Sequence, residues 1–165
     1  MGMGIIQYRK QIPWLALAIS GSIAIAINTL LLKAALLFLI TAEGGGLLKL
    51  FLQTSNVILP HFSFEHTAWF ALLFHFLTGF LMAVFYAVFF DKMVLAPGWV
   101  KGSLFSILPW LINGLMVLPL LKQGIFGYIT LTPTGMAWFF LANLGFGLTL
   151  GWLYDIILHR KLNRQ

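Results

Sequence analysis

Four apolar runs, each on the order of twenty residues, leave this chain little choice of architecture. Wound as a helix at about 1.5 Å per residue, each run matches the thickness of membrane hydrocarbon. Main-chain polar groups inside lipid must pair within the protein, and a helix does this within a single segment. Composition points the same way. Of the 165 residues, 61% are apolar and only 8% charged. A water-soluble domain needs about a quarter charged residues to cover its surface, so lipid is the expected solvent.

The expected spans are 13–33, 67–90, 99–121 and 135–158. The first opens at Pro13-Trp14 and runs to about Leu32, and Lys33 can reach the far headgroups by extending its amine. Its helix is expected to continue to Thr41, where Gly44-Gly45-Gly46 stops it. The outer segment, 44–66, holds residues 47–59, which are apolar but too short to cross. An amphipathic helix lying at the membrane interface and ended by Pro60 is expected there. The fold class is therefore all-α: a single membrane domain over 1–165, with four transmembrane helices and a short outer interfacial helix. Arg9 and Lys10 before an apolar run mimic a signal peptide, and Ala24-Ile25-Ala26 mimics its cleavage site. Apolarity persists to Ile40, longer than a cleaved signal needs, so a retained first helix is expected.

Basic residues orient the bundle. Arg9, Lys10, Lys92, Lys101, Arg160, Lys161 and Arg164 cluster at one set of ends, against Lys33, Lys49 and Lys122 at the other. The bias places both chain ends in the cytoplasm. Trp14, Trp99 and Trp152 fall at the inner boundaries, and Trp69 and Trp138 at the outer ones, where indoles favour the headgroup level. Trp110 alone lies mid-span. The net charge of +6 belongs to this topology and not to a basic face for nucleic acid. The absence of cysteine excludes disulfides, thiol catalysis and cysteine-held metals.

Small or polar residues recur every four positions. Ala16, Ser20, Ala24 and Asn28 do so in the first span, and Ala71, His75, Gly79, Ala83 and Ala87 in the second. Gly98, Gly102 and Ser106 open the third, with Gly114 beyond, and Asn143, Gly147, Gly151 and Asp155 mark the fourth. In lipid such rows let backbones approach, so Ser20, Ala24, Gly79, Ala83, Gly102, Gly114, Gly147 and Gly151 are expected helix-packing positions. A four-residue row drifts about 40° per step around the helix, which favours crossed neighbours. Pro109 and Pro119 make the third span the one expected to be irregular.

Each span also buries one strong hydrogen-bonding side chain: Asn28, His75, Asn113 and Asn143. Counting from the span ends puts all four in the outward half of the membrane, His75 and Asn143 about 12 Å in. Two readings of this polar layer stand. It is an interhelical hydrogen-bond cluster, or it lines a small outward pocket in which His75 meets a headgroup, a quinone-like carbonyl or a proton. Haem needs a second axial ligand at matching depth, and His61, His66 and His159 lie at interfaces, so no cofactor and no metal site is expected. His61 and His66 flank Glu65 in a solvated loop. Asp91 beside Lys92, and Asp155 one turn before His159 and Arg160, are expected helix-end charges with local cationic partners. No catalytic residues are expected: the chain has no carboxylate pair, serine–histidine arrangement or phosphate loop.

The stretch Lys101-Gly102 followed by SLFSILPWLINGLMVLPLLKQGIFG resembles a helix and outer turn of a family of small bacterial inner-membrane proteins of unknown function. HFLTGFLMAVFYAVF (75–89) and NLGFGLTLGWLYD (143–155) are similar to two further helices of that family. The resemblance implies a four-helix fold in the bacterial cytoplasmic membrane and supplies no activity. Family members often carry a histidine where Asn143 stands here, which argues against a histidine-pair site on His75. The function expected is a non-catalytic accessory subunit packed against a larger respiratory, photosynthetic or transport complex. Its expected partners are lipid and other membrane subunits or copies of itself, and not nucleic acid. The alternatives are a small oligomeric transporter or channel, and a lipid-, quinone- or haem-binding protein centred on His75.

Overall fold

A computed structural model describes residues 13–42, 46–58 and 67–162 of the protein. It is all-helical among these residues: α1 (Trp14–Leu37), α2 (Gly46–Ile58), α3 (Ala68–Met93), α4 (Gly98–Leu120) and α5 (Pro133–Leu162). α1, α3, α4 and α5 are each long and apolar enough to cross a membrane. The protein is thus a multi-pass membrane bundle, with α2 too short to span.

Caps set several of these ends. Thr67 accepts the Phe70 N–H at 3.2 Å to start α3. Thr132, followed by Pro133 at the first helical position, accepts the Gly135 N–H at 3.0 Å to start α5. α1 stops at Leu37, four residues before the expected end at Thr41. Leu39 turns left-handed (φ 56°) and the Ile40 N–H reaches back to the Ala35 carbonyl, which closes the helix without glycine. Tertiary contact favours this early stop: the Phe38 ring lies 5.5 Å from that of Trp138 at the start of α5.

The four long helices alternate in direction. Gly98 and Gly102 of α4 meet Asp155, Gly151 and Gly147 of α5 in antiparallel order. Asn28 and Leu31 of α1 bond to Ala142 and Trp138 of α5, again antiparallel. α3 touches α1 through Gly79 against Ile25 and Ala83 against Gly21. α5 is the central helix, packed along both α4 and α1, while α3 is the least enclosed of the four.

The α4–α5 seam is the tightest contact. A Cβ on Gly102 would run into the Gly147 carbonyl, and one on Gly147 into the Gly102 carbonyl. Both residues are buried, and only glycine permits this main-chain approach. Ser20, Ala24 and Ala83 are buried between helices, and Gly79 packs on the Ile25 side chain. Gly114 differs from the expectation of a helix seam. Its open face takes the ring of Phe126, from the short turn Ile125–Gly127 folded back beneath α4. Trp110 joins the same cluster, 4.5 Å from Phe126 and 5.1 Å from Phe140.

The hydrophobic core fills the half of the bundle away from α2. Leu17, Ile25, Tyr86, Phe105, Leu150 and Tyr154 pack there with Ala24 and Ala83. A buried ion pair closes that end, with Lys101 Nζ 2.8 Å from Asp91 Oδ1 and 3.1 Å from the Asp91 carbonyl. This corrects the expected pairing of Asp91 with Lys92, whose side chain is exposed. The turn between α3 and α4 brings Lys101 over Asp91, a neighbour that sequence separation conceals.

Candidate functional site

α1 and α3 approach closely near Gly21, Ile25, Gly79 and Ala83, where small residues allow it. Towards the α2 end the two helices no longer touch in this way, and the space they leave is a cavity of about 480 Å³. α4 and α5 contribute its far wall through Pro109, Asn113, Phe139 and Asn143, and α2 covers it with Gly46, Leu47 and Leu48. Most of the wall is apolar, with polar groups at a few points, the usual make-up of a small-molecule site.

Asn28, His75, Asn113 and Asn143 all line this one cavity. Their four helices therefore bring the deep polar residues together. Asn28 sits on α1 and donates from Nδ2 to the Ala142 carbonyl of α5 at 2.9 Å, a bond that ties the two helices. Asn143 and Asn113 instead donate to their own helices, to the Phe139 carbonyl at 2.8 Å and the Pro109 carbonyl at 3.0 Å. Asn28 and Asn143 are each only 8% exposed; Asn113 and His75 are half-buried.

The irregular third span helps to build this wall. Asn113–Val117 forms a π turn four residues after Pro109, and such widened turns relieve the packing of a proline within a helix. Gly46, the first residue of α2, takes φ 46°, and its open face lies against Asn113 Oδ1. A side chain at 46 would be strained in that conformation. Phe51 anchors the rest of α2, its ring 5.8 Å from Phe70 and 5.3 Å from Phe74 of α3.

Three further polar residues share the cavity: Thr29, Thr78 and Lys33. Thr29 donates to the Ile25 carbonyl at 2.9 Å and Thr78 to the Phe74 carbonyl at 2.9 Å. Sequence reasoning passed over both threonines, because a hydroxyl satisfied by its own helix carries no signal in hydropathy. Thr78 lies three residues after His75, the spacing that would have flagged it; Thr29, directly after Asn28, has no such signal.

Among the described residues no group of three histidines or acids could hold a metal ion. Asp155 accepts a long contact from the Gly98 N–H, 3.4 Å, and lies 4.0 Å from His159 at the far end of the bundle. His61, Glu65 and His66 lie outside the described residues. Compared with protein-family models, characterised proteins and solved structures, the chain has no significant match. Fold and site therefore stand on the residues themselves.

Proposed function

We propose that this is a non-catalytic integral membrane protein that binds a small amphiphilic molecule in the cavity beneath α2. The observation that carries this reading is the convergence of Asn28, His75, Asn113 and Asn143 on one cavity of about 480 Å³. A purely structural polar cluster closes on itself, side chain to side chain, as lipid gives it every reason to do. Here the three asparagines bond to main-chain carbonyls and surround a space instead. Apolar walls suit the body of an amphiphile, and the polar points suit its head.

Native mass spectrometry of the protein in lipid nanodiscs tests this. One bound small molecule per chain is expected, lost in Ala71→Trp, which places an indole in the cavity from α3. An empty wild-type protein, or equal occupancy in the variant, would end the reading.

A second reading, the accessory subunit, is favoured by an exposed apolar row that winds along α3. Trp69, Leu73, Leu77, Leu81, Phe85 and Phe89 recur every four residues and are all exposed, from 41% to 78%. A partner's helix can pack along such a row as well as lipid can. Gentle solubilisation at native abundance should then recover the chain in a larger complex at fixed stoichiometry; recovery as a lone homo-oligomer argues against it.

A further inference from the structure

We infer, building on the binding role proposed above, that the cavity selects a neutral amphiphile with a hydrogen-bond-donating head, an alcohol or a phenol. Only the NH₂ end of an asparagine amide can donate to a main-chain carbonyl. The bonds from Asn28 to Ala142, from Asn143 to Phe139 and from Asn113 to Pro109 therefore fix which way each amide faces. In all three the Oδ1 end is left without a donor among the described residues.

These oxygens are not sealed inside protein. Among the described residues, Tyr86 Oη is the side-chain polar atom that is both fully enclosed and unbonded, and it lies in the core half, away from the cavity. The asparagine oxygens thus open onto the space their residues line. Asn28 and Asn143 are more than nine-tenths buried, so their oxygens depend on what fills the cavity. A buried acceptor without a donor is costly, and a bound donor recovers that cost.

Neighbouring groups sharpen the selection. Thr29 and Thr78 have spent their hydroxyl protons on helix carbonyls, so they too offer lone pairs. Among the described residues no carboxylate lines the cavity, while Lys33 does, so a cationic head meets repulsion there. An anionic head could pair with Lys33 but could not give the amide oxygens the donor they lack. A neutral hydroxyl meets neither difficulty.

The test uses two probes of nearly equal size, 4-nonylphenol and its methyl ether 4-nonylanisole, added to the full-length protein in nanodiscs. The ether keeps the ring, tail and oxygen but lacks the donor. The phenol is expected to bind about tenfold more tightly, the size of one well-made buried hydrogen bond. Asn143→Leu and Asn113→Leu should each shrink that preference, read as the ratio of the two affinities; both amides bond only within their own helix, so neither change unties two helices. Equal affinity for the two probes in the wild-type protein overturns the donor selection and leaves the binding role standing. Failure of both probes to bind overturns the two together.

Discussion

Gly102 and Gly147 face each other so closely that each occupies the place of the other's missing side chain. A methyl group there meets main chain, which cannot rotate away, so the helices must separate and lose the contacts flanking the seam. Gly147→Val is expected to lower stability by about 3 kcal/mol or more, read as an earlier midpoint in SDS-induced unfolding. Gly79→Ala makes the contrast, because its new methyl meets only the Ile25 side chain, and it should cost far less. The Lys101–Asp91 pair sets a second residue-scale expectation. Both side chains are at least nine-tenths buried and 2.8 Å apart, so removing one strands the other's charge. Lys101→Ala should cost about 3–5 kcal/mol, whereas the double change Lys101→Met, Asp91→Leu should recover much of that loss. If the double variant is as unstable as the single one, the pair contributes more than mutual neutralisation.

At the scale of elements, α2 is held by fewer contacts than any long helix, and Phe51 supplies the aromatic ones. Phe51→Ala should raise amide exchange across Gly46–Ile58 about fivefold while leaving Gly98–Leu120 unchanged, as loss of one or two ring pairs predicts. A uniform change across both segments would mean that α2 is part of the core and not a cover over it. The four spans were legible because continuous apolarity measures length directly, and the observed ends fall within a few residues of the expected ones. The early end of α1 was not, since Leu39 carries no glycine-like signal and the turn is held by the Phe38–Trp138 contact. The same holds for the π turn at Tyr86–Phe90, the Phe126 ring beneath Gly114, and Lys101 over Asp91. The last two depend on what another segment of the chain brings. The deep polar residues stood out as single interruptions of apolar runs. Their sharing of one cavity depends on how each helix is rotated, which drifting four-residue rows leave open.

For the whole molecule, four alternating helices put Trp14 and Leu162 at the same end of the bundle, opposite α2. Charge predicts which end faces the cytoplasm. Lys92, Lys101, Arg160 and Lys161 lie at the end away from α2, and Lys33, Lys49 and Lys122 lie at the α2 end. Lys101 is neutralised by Asp91 in the folded protein, yet orientation is set by lysine and arginine counts with little influence from acids, so it still counts towards the end predicted to be cytoplasmic. On that orientation the cavity mouth is expected to face outward, with Lys33 at headgroup level and α2 along the interface. Because the chain has no cysteine, a single introduced thiol reports its own position without background. In intact cells a membrane-impermeant maleimide should label Tyr128→Cys, in the exposed turn between α4 and α5, and should reach Gln165→Cys only after the membrane is opened. The reverse pattern would turn the bundle over and give the cavity a cytoplasmic mouth, so that any molecule it binds would be drawn from the inner leaflet.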